Sequence, residues 1–171
     1  MEFKDIIQKR RSVREFTNEP VPNEKLRRVL EAARLAPSAS NRQAWKFVVV
    51  KDSNKRKALA QAANNQTFVG QAPIIIVAVA LMPERIMTCG VPSYAVDLAI
   101  AMEHIVLAAV DEGLGTCWIG AFSQENARRI LDIPDKYKVV TVMPMGYPER
   151  ETATRSRKPL EEVVCYEKFA E

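Results

Sequence analysis

Apolar and polar positions along the chain read as helices first, then strands separated by helices. Residues 3 to 9 make a short helix, and Asn23 to Ala36 a stronger one, with Leu26, Val29, Leu30 and Ala33 at helical spacing and Pro37 ending it. Trp45 to Lys51 (WKFVVVK) has the β-branched run of a strand, and residues 53 to 63 return to a helical pattern. Pro73 to Leu81 (PIIIVAVAL) is too uniformly apolar to keep an exposed face, which predicts a central strand buried on both sides. Pro92 to Glu112 predicts a long helix, opened by a proline and stopped by Gly113. Because it is apolar almost all round, it is expected at the centre of the protein. Gly115 to Ile119 follows as a short strand, 123 to 131 as a helix and Lys138 to Met145 as a strand, and the tail from Pro159 starts out helical.

Consecutive strands lie too far apart for hairpins, so the pattern predicts one sheet with helices packed on it, and leaves strand direction open. With 171 residues, 47% of them hydrophobic, and no repeat or linker, residues 1–171 are expected to form a single domain. The length of the 92 to 112 segment invites a transmembrane interpretation. Asp97, Glu103 and His104 inside it, and the lack of flanking cations, argue against one. The start, MEFKDIIQKRR, has no apolar core of a signal peptide, so a cytoplasmic location is expected.

Charge and cysteine usage narrow the chemistry. Cys89, Cys117 and Cys165 show no CxxC spacing and His104 is the sole histidine, so neither a disulfide framework nor a zinc cluster is expected. The cysteines should be reduced and mostly buried. A net charge of +4 concentrates in residues 9 to 14 and 150 to 158, with no aromatics interleaved. A compact anion such as a phosphate would account for these two small groups as well as a polyanion would, and solvated charge is the commoner explanation of either stretch taken alone. No GxGxxG follows a strand, and no GxxxxGK[ST], serine elbow or HExxH occurs. His104 reads as a hydrogen-bonded core histidine, and Asp97, seven residues earlier on the same face, as its structural polar partner.

Three segments remain as candidates. In KRRSVREF, Lys9 to Phe16, the alternation of Arg10, Ser12 and Arg14 sends three side chains the same way if the segment is extended. Such a group suits a phosphate with a polar chain attached, although a solvated basic helix end has the same composition. PSASNRQAW, Pro37 to Trp45, can press its backbone against a planar ligand, with Ser38, Ser40, Asn41 and Gln43 offering hydrogen bonds; an ordinary turn uses the same residues. In ATRSRKPLEE, Ala153 to Glu162, Arg155 and Arg157 again alternate, and in isolation this is a solvated tail.

The order and spacing of RRSVR (10–14), PSASNRQAW (37–45), NNQTFVGQAPIIIV (64–77), GLGTCWIGAF (113–122) and RSRKP (155–159) resemble the nitroreductase family over almost the whole chain. That resemblance implies an α+β fold with a single mixed or antiparallel sheet flanked by helices, an intertwined homodimer, FMN as cofactor and NADH or NADPH as reductant. Arg10, Arg11 and Ser12 are implied cofactor contacts on the phosphate and ribityl side, with Arg155 and Arg157 closing on the phosphate. Arg14 would stabilise reduced FMN electrostatically. Pro37, Ser38, Ala39, Ser40 and Gln43 would act from the partner subunit's loop, Asn65 or Gln66 on the ring's polar rim, and Ile119 and Gly120 through backbone amides toward N5. No other catalytic side chain and no metal is implied, because the cofactor carries the chemistry.

The implied reaction is ping-pong hydride transfer to a flat, electron-poor small molecule: a nitroaromatic, quinone or flavin. Two alternatives are a flavoprotein of the same fold that dehydrogenates or dehalogenates, and a basic protein binding phosphate or nucleic acid. Ala44 stands where the family usually has proline, and residues 82 to 94, with Cys89 and Tyr94, are left to shape the substrate side.

Overall fold

In the computed structural model, which describes residues 1–151, 153 and 155–170, the apolar run PIIIVAVAL becomes the strand β2 (Ile74–Ala80), buried at every position. Its alternation divides the core. Ile74, Ile76, Ala78 and Ala80 face one apolar cluster, and Ile75, Val77 and Val79 face another on the opposite side of the sheet. Each cluster needs helices to cover it. Helices α2 (Asn23–Arg34) and α5 (Ser93–Asp111) pack against the first, and α3 (Ser53–Ala62) and α6 (Gln124–Ile130) against the second.

The other strands are β1 (Trp45–Val50), β3 (Gly115–Thr116) and β4 (Lys138–Gly146), and the sheet order is β1-β2-β4-β3. Every pairing is antiparallel, which settles the direction that the sequence left open. The register shifts between Ala78 and Val79 against β4, so Met143 and Met145 join the first cluster while Val139 and Val142 join the second. The fold is α+β, as the resemblance implied.

Several elements depart from expectation. Helix α5 is buried along one stripe only, Ser93, Asp97, Leu98, Ala101, Met102, Ile105, Val106 and Ala109, while Val96 is exposed. A single sheet face can cover only one side of a helix, so the all-round apolar pattern does not place it at the centre of this chain. Helix α4 (Thr67–Gln71), five residues long, is too short to leave a periodic pattern and was not expected. The strand expected over Gly115 to Ile119 is continuous only to Thr116 and rejoins β4 through a single Ile119–Val142 bridge. The tail's expected helix is one 3-10 turn, Leu160–Glu162. Of the cysteines only Cys117 is buried; Cys89 and Cys165 lie in exposed loop and tail segments.

Helix α1 (Phe3–Lys9) ends at Arg10, and the chain then runs extended beside β3. Ser12 bridges Thr116 in parallel, and the Val13 amide donates to the Thr116 carbonyl at 2.9 Å. This approach depends on Gly115, where a Cβ would stand 2.4 Å from Val13 Cγ2.

Candidate functional site

The docking of residues 12 and 13 beside β3 sets up an arginine groove. Arg10, Arg11, Ser12 and Arg14 line it from the start of the chain, and Ala153, Arg155 and Arg157 from its end. None of the described lining residues is acidic. The sequence placed these arginines in two separate basic stretches, and the structure brings them together. Arg11 also donates to the carbonyls of Gln8 and Arg10, at 2.5 and 2.7 Å. Burial pushes the Cys117 thiol above its usual range, and the nearby positive charges of Arg14 and Arg155 pull it partly back. Arginines from opposite ends of the chain therefore act on one buried side chain of the segment after β3.

That segment leads to a second group of candidates. The Ile119 amide donates to the Val142 carbonyl at 3.2 Å, and the Ile119 carbonyl accepts from Thr141 Oγ1 at 3.0 Å. The Ile119 amide is thus committed to the sheet, which corrects the expectation that it points at a ring and leaves the exposed Gly120 as the candidate amide. Ser123 then donates its amide to the Ala62 carbonyl at 2.8 Å, tying this turn to the end of α3 beside Asn65 and Gln66. Asn65 is exposed with a left-handed backbone (φ 58°), and Gln66 caps α4 while its side-chain amide donates to the Ala63 carbonyl at 2.9 Å.

The loop Pro37 to Gln43 does not line the groove within one chain, but it is held in an unusual shape. Ser40, Asn41 and Gln43 all have left-handed backbones, with φ of 54°, 51° and 50°. Such residues cost of order 1–3 kcal/mol each and persist only where their surroundings hold them, and they cluster at functional sites. Asp97 fixes this one: its Oδ1 accepts from the Ala39 amide at 2.9 Å, and Ser38 Oγ accepts from the Gln43 amide at 2.9 Å. Asp97 and His104 therefore have separate partners, His104 Nδ1 lying 3.1 Å from the Ala32 carbonyl. The role of Asp97 as loop anchor was missed. Its signal was the one carboxylate on the buried face of a largely apolar helix.

Among the described residues, no group of three His, Cys, Asp or Glu side chains is placed to hold a metal. Next to the groove, Ser12, Arg14, Glu15, Arg150, Glu151 and Ala153 line a second recess.

Comparisons with known proteins identify the family and the fold. The model of the nitroreductase family matches residues 7–81 and 62–147. A nitroreductase family protein from Clostridium novyi NT is 40% identical, with a TM-score of 0.83 over 87% of this chain and 86% of its own. The NADPH:FMN oxidoreductase of Vibrio harveyi, solved in complex with NAD+, is 30% identical, with a TM-score of 0.90 over 99% of this chain and 78% of its own. An NADH dehydrogenase of Thermus thermophilus is 31% identical over 197 residues, covering 97% of this chain and 96% of its own. With residues 7 to 147 matched by the family model and the fold shared with a solved member of the family, this chain belongs to the nitroreductase family.

Proposed function

We propose that this protein is an FMN-dependent oxidoreductase that takes reducing equivalents from NADH or NADPH and passes them to a flat, electron-poor acceptor. The observation that carries the proposal is the meeting of five arginines and Ser12, from both ends of the chain, in one groove beside the segment that leads to Gly120. The named relatives, an NADPH:FMN oxidoreductase and an NADH dehydrogenase, support the cofactor and the reductant.

The groove fits a phosphate monoester. Arg10, Arg11, Ser12, Arg155 and Arg157 supply planar donor forks and a hydroxyl for its oxygens, and none of the described lining residues is a carboxylate. Arg14, whose charge reaches Cys117 just after β3, favours negative charge on the edge of a bound ring. Asn65 or Gln66 and the Gly120 amide supply polar contacts for the ring's rim. When bound, the flavin supplies hydride acceptance and donation, chemistry that no side chain here offers. One slot serves donor and acceptor in turn, so turnover alternates and selects acceptors by shape and electron affinity: nitroaromatics, quinones and free flavins.

The active unit is a homodimer. Pro37, Ser38, Ala39, Ser40 and Gln43 lie outside the groove of their own chain and reach the ring of the partner's site. The stripe of α5 around Val96, left uncovered by the sheet, gives a second copy a face to pack on. A two-fold interface then builds two equal sites.

The test is the visible spectrum of the purified protein, followed by anaerobic addition of each nicotinamide. A flavin spectrum bleached by NADH or NADPH is expected. A protein that stays colourless after incubation with FMN refutes the proposal, and one that is yellow but unbleached by both favours dehydrogenation or dehalogenation. A monomer that retains FMN refutes the shared site.

A further inference from the structure

From the geometry where the two walls of the groove diverge, we infer that Glu15 and Arg150 are positioning residues that aim the tail arginines at the bound phosphate; the inference rests on the flavin proposal above. Residues 15 to 17 and 147 to 149 form a short irregular ladder. Thr17 donates its amide to the Tyr147 carbonyl at 2.9 Å, Glu149 donates its amide to the Glu15 carbonyl at 3.1 Å, and Phe16 bridges Pro148. Arg150 follows directly and grips Glu15 with two contacts, Nη2 to Oε1 and Nε to Oε2, both 2.5 Å.

The position of this clasp gives it its role. Arg14, one residue before Glu15, lines the first wall, and the second wall begins at Ala153, three residues after Arg150. Arg155 is the fifth residue after Arg150, and an extended chain covers at most about 3.6 Å per residue, so the Arg155 backbone reaches no further than about 18 Å from this anchor. Where Arg150 is held therefore decides whether Arg155 and Arg157 return to Arg10 and Arg14. The bidentate fork also fixes direction, which a point charge would not.

Stability does not explain the clasp. The two side chains are 74% and 46% exposed, and exposed ion pairs contribute little to folding. The ladder of backbone bonds already secures residues 147 to 149. What remains for the fork to determine is the exit of the tail, and the recess it borders shares Ser12, Arg14 and Ala153 with the arginine groove.

The test uses the full chain with FMN as ligand. Glu15→Gln and Arg150→Gln should each raise the FMN dissociation constant about three- to fivefold. The double variant should be no worse than either single, and the swap Glu15→Arg with Arg150→Glu should restore part of the loss. In an Arg155→Gln, Arg157→Gln background, Glu15→Gln should add nothing, since the residues it positions are gone. The thermal midpoint of the apoprotein should not move. Without FMN, trypsin should cut after Arg155 and Arg157 faster in the Glu15→Gln protein than in wild type. An additive loss in the tail-arginine background, or unchanged tryptic cleavage, overturns the inference. If the wild type binds no FMN, the flavin proposal fails, and the tryptic comparison still decides whether the clasp directs the tail.

Discussion

Gly115→Ala tests how the fold builds the groove. The added methyl would stand 2.4 Å from Val13 Cγ2, 2.9 Å from Val13 Cβ and 3.1 Å from Pro148 Cγ. Non-bonded carbons settle at roughly 3.5–4.0 Å, so Val13 has to retreat by about 1 Å. Val13 is buried, with 5% of its surface exposed, so its retreat disturbs the packing around it. Overpacking of this kind costs about 1–3 kcal/mol. At about 2–4 °C per kcal/mol for a chain of this size, the thermal midpoint should fall by roughly 2–12 °C. The same retreat strains the bond from the Val13 amide to Thr116, carries Arg14 away from β3 and weakens FMN binding. Calorimetry of the apoprotein and an FMN titration followed by flavin fluorescence measure the two effects. Adding Val13→Ala removes Cγ2 but leaves Cβ, so it should recover part of both losses. An alanine at position 115 that leaves melting and FMN affinity unchanged would refute the close approach as the device that holds the groove open.

Three more outcomes are expected. Arg155→Gln with Arg157→Gln should weaken FMN about tenfold or more while leaving riboflavin binding unchanged, since hydrogen bonds to charged groups contribute about 1.5–3 kcal/mol each; an equal loss for both ligands would move these arginines off the phosphate. Asp97→Ala strands the Ala39 amide and should destabilise by about 1–3 kcal/mol, whereas Asp97→Asn, still an acceptor, should lose less; denaturant unfolding of both checks the anchoring of the loop. Hydrogen bonds from Arg28 hold the Glu112 carboxyl below the usual carboxylate range. Because the folded value is the lower one, the pair's contribution is complete above the unfolded pKa, roughly 4.3, and is lost as pH falls through the folded value. The difference in thermal midpoint between wild type and Glu112→Gln should thus be present at neutral pH and close in acid, and a gap independent of pH would contradict the pairing.

The main elements were legible along the chain because their signals are local. PIIIVAVAL has no polar face to expose, so it had to be a central strand, and the helical spacing of Leu26, Val29 and Ala33 fixed the buried side of α2. The arginine alternation and the polar loop were legible as candidates, and their order along the chain pointed to the family. The composition of each segment alone did not separate a ligand site from a solvated surface, since a charged side chain carries no record of what lies opposite it.

Tertiary structure decided the rest through contacts between residues far apart in the chain. Asp97 looked like a partner for His104, but the helix carries it under loop 37 to 43, where a backbone amide takes it. Ile119 looked free to donate, until pairing with Val142 used its amide. The one-sided burial of α5 follows from a sheet that covers a single face. The arginine groove itself depends on Gly115, far downstream, which lets the first segment lie against β3, and on a ladder that returns the tail. Local patterns encode elements because periodicity is set by backbone geometry. A site is encoded by juxtaposition, and juxtaposition is settled only when the core has packed.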